Sequence, residues 1–167
     1  MNKITTGRLE IRRFTEADTE AYVEMMTKPS VTQYLGSGKS CSKEDATKIL
    51  SWYKSVWEEG YGIFAVVEQD SRNLIGYCGI SQISDGRIEL LYAYDPSSWG
   101  KGYATEAGEA VLAYGKEHFG VTEIIAMSYP QNIGSIGVIK KLGFKSAGQE
   151  EHFGKMLDVF ILDLAMS

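Results

Sequence analysis

Trp99-Gly100-Lys101-Gly102 is the stretch of this chain best suited to hold an anion. Two glycines flank a lysine just before Tyr103, Ala104, Ala107, Ala110, Val111 and Tyr114, whose spacing is that of an amphipathic helix. The first turn of a helix carries unpaired N–H donors and the positive end of the macrodipole, which together stabilise a phosphate by about 0.3–2 kcal/mol. Each charge-assisted amide hydrogen bond adds about 1.5–3 kcal/mol, and Lys101 adds a point charge. The plainer alternative is a turn whose glycines only redirect the chain. Upstream, Glu89 is the only acid in the apolar run Ile88-Glu89-Leu90-Leu91-Tyr92-Ala93-Tyr94. Burial raises the pKa of a carboxyl toward the range of a general base. Its competing role is an ion pair with Arg87 or another cation across the sheet.

These residues need a strand, a turn and a helix to place them. The run 88–94 has strand composition, and Asp95-Pro96-Ser97-Ser98 ends it because proline cannot donate to a ladder. A helix is expected over 102–119. Earlier, residues 8–14 alternate as a half-buried strand, and Thr15 with Asp18 opens a helix striped by Ala21, Tyr22, Met25 and Met26 that ends at Lys28-Pro29. Residues 31–42, with Gly36-Ser37-Gly38-Lys39-Ser40, read as a surface loop. Ser42 with Asp45 starts a second helix that runs to Gly60. The runs 62–68, 74–81 and 88–94, joined by short turns such as Asp85-Gly86, form an antiparallel meander. Residues 122–129 read as a strand reached through the long helix, so a parallel pairing is allowed and two splaying strands would open a slot. Asn132 caps a short helix closed by Gly143, and two strands, 144–151 and 156–164, finish the chain.

No Walker phosphate loop is present, and the dinucleotide fingerprint lacks its third small residue, since Thr105 stands there. What W-G-K-G-Y-A-T-E-A resembles is the acyl-CoA loop of the GNAT acetyltransferases, with Gly100 and Gly102 at the two small positions and Ser97 where glutamine or arginine is usual. A second tract, Asn132, Ser135, Lys141, Leu142, Gly143 and Phe144, is similar to the later motif of that family, and the opening R-L-x-I-R-x-F-T-x-x-D resembles its RimJ/RimL branch. The resemblance implies an α/β (α+β) acyl-CoA N-acyltransferase fold, with a mixed, mostly antiparallel sheet of six to seven strands flanked by about four helices. It also implies acetyl-CoA as co-substrate. The diphosphate is expected on the amides of Trp99, Gly100, Lys101, Gly102, Tyr103 and Ala104, and the pantetheine along Leu91, Tyr92, Ala93 and Tyr94. Asn132 and Ser135 of the second motif complete the coenzyme site. A backbone N–H near Leu91 would serve the oxyanion. Glu89 is the candidate base. The tyrosine that many relatives place five residues before the motif phenylalanine is Ile139 here, so Ser135 is the favoured acid, ahead of Tyr92, Tyr94 and Tyr129.

Composition narrows the classes further. At 167 residues, 44% apolar and 23% charged, the chain is expected to be one domain, 1–167, with an ordinary core. Its net charge of −5 and lack of basic runs argue against nucleic acid. No 18-residue apolar run or export signal appears, so a cytoplasmic protein without a membrane span is expected. Cys41 and Cys78 read as free thiols, and no spacing suggests a metal site. His118 and His152 carry no assigned role. The expected function is acetyl transfer to a primary amine, possibly a protein N-terminal α-amine. The alternatives are a small amine (a polyamine, amino sugar or amino-acid derivative) and a non-catalytic acyl-CoA-binding module. A homodimer is expected by analogy alone.

Overall fold

The computed structural model describes residues 3–166. Its strands are β1 (Lys3–Thr5), β2 (Leu9–Arg12), β3 (Gly62–Glu68), β4 (Leu74–Gln82), β5 (Ile88–Tyr94), β6 (Glu123–Ser128), β7 (Lys145–His152) and β8 (Lys155–Asp163). They form one sheet in the order β1-β2-β3-β4-β5-β6-β8-β7. The helices are α1 (Thr19–Met26), α2 (Pro29–Thr32), α3 (Lys43–Val56), α4 (Tyr103–His118) and α5 (Ile133–Lys141). Eight strands and five helices among the described residues exceed the expected six to seven and about four. The additions are β1, three residues that are too short for alternation to register, and α2. Pro29 was read as the end of α1, and it is also the first residue of α2, where a missing N–H costs nothing.

The predicted caps do what their chemistry allows. Thr15 and Asp18 form a capping box around a single 3₁₀ turn before α1, and Asp18 also accepts both guanidinium nitrogens of Arg12 at 2.7 and 3.0 Å. The Ser42 hydroxyl accepts the Asp45 N–H at 3.0 Å, and Gly60 closes the following turn at φ +92°.

Alternation along the strands sends successive side chains to opposite faces. Leu90 and Tyr94 of β5 join Phe64, Val66 and Ile80 against Ala107, Val111 and Leu112 of α4, with Ile139 of α5. Ala93, with Leu91 packed beside it, joins Ile63, Ala65 and Tyr77 against Tyr22 and Met25 of α1 and Leu50 and Tyr53 of α3. Each such aliphatic or aromatic side chain contributes about 1.5–3 kcal/mol of burial. The sheet is therefore covered on both faces.

The meander β3–β4–β5 is antiparallel, as expected. After α4 the chain returns parallel to β5, and among the described residues β5 and β6 share a single register pair, Glu89 with Ile125. Above that pair the strands part. The expected slot is there, and Glu89 stands at its apex.

Candidate active site

The β5 backbone has two distinct edges. The Asp95 N–H bonds the Ile75 carbonyl at 2.8 Å, and in an antiparallel ladder alternate residues bond the same neighbour. Leu91 and Ala93, opposite Gly79 and Tyr77, therefore give their main-chain groups to β4. Leu90, Tyr92 and Tyr94 turn theirs toward the slot. The Tyr94 carbonyl there accepts the Trp99 indole N–H at 2.8 Å. Within the run 91–94, it is thus Tyr92 and Tyr94 that offer slot-facing donors, while the Leu91 N–H is committed to the ladder.

At the top of β5 the loop is fixed by local polar contacts. Asp95 accepts the Ser97 N–H at 3.1 Å and the Ser97 hydroxyl at 2.6 Å, and takes the Lys28 ammonium at 2.6 Å. Ser97 is thereby spent on the turn. Gly100 and Gly102 have φ of +74° and +82°, a region that glycine enters at no steric cost. Gly102 is the N-cap of α4, and no side chain caps the helix. Glu106 is the acid of that first turn, and its carboxylate is turned away to Thr6 and Arg8. The N–H groups of Tyr103, Ala104 and Thr105 are left for an anion, so the residues present fit a diphosphate.

In the sequence Arg8 belongs to an alternating strand and to the R-L-x-I-R opening, with no role assigned at the loop. The structure places it at the loop: Nη1 donates to the Lys101 carbonyl at 2.8 Å, Nε to Glu106 at 2.7 Å, and the guanidinium lies 4.2 Å over the Tyr103 ring. Tyr103 itself is buried and donates its hydroxyl to Glu68. Arg8 thus ties down the Lys101 carbonyl between the two glycines. Ninety-odd residues separate the partners, so no local pattern announces the contact. Arg8→Ala is expected to raise KM for acetyl-CoA about 10-fold with kcat nearly unchanged, as loss of one hydrogen bond to a charged donor implies. An unaltered KM would remove Arg8 from the loop's support.

Asn132 caps α5 by accepting the Ser135 N–H at 3.3 Å. The Ser135 and Tyr92 hydroxyls lie 2.8 Å apart, and Tyr92 also donates to the Ser135 carbonyl at 3.2 Å. Of the candidate acids, then, Ser135 and Tyr92 come together as a pair. Tyr94 is buried beside Cys78 without an oxygen or nitrogen partner for its hydroxyl among the described residues, and Tyr129 donates to the Gly36 carbonyl at 2.5 Å. Ile139 is 1% exposed, in the core.

Glu89 faces the α1–α3 side, opposite Tyr92. The anticipated ion pair with Arg87 is absent, because Arg87 grips Asp85 and Glu150 instead. Among the described residues, Glu89 has no hydrogen-bond partner. Burial lifts its pKa from the ordinary 4.5 to about 7, against the smaller opposing electrostatic pull of His152 and Arg87. Burial likewise raises the Tyr92 hydroxyl to about 12, tempered by Ser135.

No helix among the described residues is long and apolar enough to cross a membrane, and none of their His, Cys, Asp or Glu side chains cluster in threes to hold a metal. Both cysteines are free.

The parallel splay, the glycine loop and the open helix N-terminus lie where the resemblance to acyl-CoA acyltransferases expects them. The family model for the acetyltransferase (GNAT) domain matches residues 8–145. An uncharacterized N-acetyltransferase of Bacillus subtilis, YnaD, is 34% identical over 146 residues, covering 87% of this chain and 84% of its own. A GNAT acetyltransferase from Bacillus anthracis superposes with a TM-score of 0.83 at 24% identity, over 98% of this chain and 99% of that one. RimJ of Mycobacterium smegmatis, solved with a CoA disulfide, superposes at 0.80 with 17% identity, over 99% and 91%. The chain belongs to the GNAT acetyltransferase family, and it shares its fold with RimJ-type enzymes.

Proposed function

We propose that the protein moves an acetyl group from acetyl-CoA to the α-amine of a protein N-terminus. Acetyl-CoA supplies the thioester carbonyl and a sulfur able to leave. The amides from Gly100 to Thr105 hold its diphosphate, without the expected Trp99 N–H, which is committed to the Pro96 carbonyl at 3.2 Å, and Arg8 and Lys101 add positive charge nearby. Asn132 fixes the start of α5, and the slot edge at Tyr92 and Tyr94 takes the pantetheine as a ligand strand, in place of the Leu91 and Ala93 groups that β4 occupies. The Tyr92 N–H replaces the one near Leu91 as the donor for the oxygen that gains charge.

Glu89 takes the amine proton on the α1–α3 side. On the α4–α5 side, the hydroxyl pair of Ser135 and Tyr92 meets the leaving sulfur, with Ser135 handing it a proton that the pair draws from solvent. Three residues of strand, about 10 Å, separate Glu89 from Tyr92 along β5. Base and acid thus work from opposite mouths of one slot. A coenzyme thiol with a pKa near 8.5 asks little of that acid.

The observation that carries this reading is Glu89, without a hydrogen-bond partner among the described residues and raised by burial to about 7 at the apex of the splay. An α-amine has a pKa of about 7.7–8.0 against 10.4 for lysine, so a base of that strength suffices for the former. Likeness to RimJ points the same way. The two free thiols suit the reducing cytoplasm.

Thiol release from acetyl-CoA, measured with unblocked peptides, N-acetylated lysine peptides and polyamines, tests the proposal. Peptides with a free α-amine are expected to give the highest kcat/KM. A small amine turned over at least about tenfold faster, roughly 1.4 kcal/mol, would overturn the acceptor while leaving acetyl transfer in place.

A further inference from the structure

The side chains around Arg87 belong to strands that the sheet keeps apart. β7 lies three places from β5, about 14 Å in a flat sheet. By register, Glu150 pairs with Leu157, near the far end of β6, whereas Arg87 precedes the near end of β5. Yet Arg87 Nη1 and Nη2 each reach a Glu150 oxygen at 2.7 Å, and its Nε reaches Asp85 at 2.9 Å. The β7–β8 hairpin must bend back over the sheet for this to occur. The register slip between Ser146 and Gln149, with Gly148 at φ +101°, supplies the bend. His152, two residues beyond Glu150, bonds the same carboxylate through Nε2 at 3.1 Å.

We propose that the Arg87–Glu150–His152 chain is a latch that fastens the β7–β8 hairpin across the acceptor side of the slot and holds His152 beside Glu89. Arg87 and Glu150 are then positioning residues, acting on the acceptor and the base through the hairpin. This rests on the reading of Glu89 as base. A two-pronged guanidinium–carboxylate bond fixes orientation as well as distance, which a lysine at 87 would not reproduce. The groups that face Glu89 are Arg87 before its own strand, His152 of β7 and the Tyr77 hydroxyl of β4. Asp85 and Glu150 surround them through Arg87. The Arg87 grip holds Glu150 down at about 2, so the latch stays charged across the working pH range. The coenzyme loop, Ser135 and Tyr92 take no part in the chain.

The test uses Arg87→Gln, Arg87→Lys, Glu150→Gln and the double variant Arg87→Gln/Glu150→Gln. Amide hydrogen exchange over residues 149–156 should quicken in each single variant, least in Arg87→Lys. KM for the amine should rise about tenfold in either Gln variant, with little further rise in the double, since both break one contact. KM for acetyl-CoA should stay the same. In Arg87→Gln the acid limb of kcat/KM should move up by about half a pH unit or more, because a positive neighbour of Glu89 is lost. Unchanged exchange, or losses that add in the double variant, would overturn the latch. Glu89→Gln serves as the control: if it keeps the wild-type limb, the base assignment fails, while the exchange and amine KM data still decide the latch.

Discussion

Glu89→Gln is expected to lower kcat/KM for the amine by about 10²–10⁴-fold, the usual worth of a positioned general base. Wild-type kcat/KM should climb with pH through about 7, where Glu89 ionises, and the variant should lack that limb. Pre-steady-state thiol release across pH 5.5–9, corrected for the acceptor's own ionisation, measures both. The same substitution should stabilise the fold. Burial raises the folded pKa of Glu89 to about 7, from near 4.5 in the unfolded chain, so the folded state binds more protons between those values. Its contribution is complete below pH 4.5 and is lost as pH rises through 7. A neutral glutamine escapes that loss, and at pH 8 the variant should gain roughly 1–3 kcal/mol in denaturant unfolding. A variant that is inactive yet more stable shows a carboxylate kept at a cost for function.

The second large effect falls on the coenzyme loop. Gly100 and Gly102 both sit at positive φ, and a Cβ at Gly100 meets nothing within 4 Å, while one at Gly102 stands 3.4 Å from Arg8 Nη2. Space is not the obstacle; backbone conformation is. Replacing both with alanine costs about 1–2 kcal/mol at each for the left-handed conformation. The chain relieves that strain by turning the amides away from the anion. Coenzyme A affinity is expected to drop about 10²-fold by calorimetry, with the melting temperature lowered by only a few degrees. A loop that tolerates both alanines with unchanged affinity would place the diphosphate elsewhere.

Much of the arrangement can be read locally. The Ser42 cap, the antiparallel meander, the glycine loop and the parallel return are all written in short-range patterns of turn residues and periodicity, and the structure reproduces them. Glu89 stands out in sequence because a single acid among Ile88, Leu90 and Leu91 has few reasons to be there. What escapes a local reading is whatever depends on which strand edge or face a residue takes. Leu91 and Tyr92 are equally apolar neighbours, and only the ladder register decides that Tyr92 turns its backbone to the slot. Ser135 and Tyr92 were each legible as candidate acids, but their pairing spans 43 residues. Arg8 at the loop, and Arg87 with Glu150 across the hairpin, are contacts between distant segments made by long polar side chains, which leave no periodic trace. Short elements escape for a simpler reason, since β1 and α2 are too brief to repeat any pattern.

The central claim is that main-chain donors at the start of α4 grip the diphosphate while the pantetheine lies along the open edge of β5. Calorimetric titration of the wild-type protein with coenzyme A and, separately, with pantetheine, which lacks the diphosphate, measures this most directly. One-to-one binding of coenzyme A, at least about 10²-fold tighter than pantetheine, is the predicted result, as two charge-assisted amide bonds would supply. Equal affinities, or no heat from either, would contradict it.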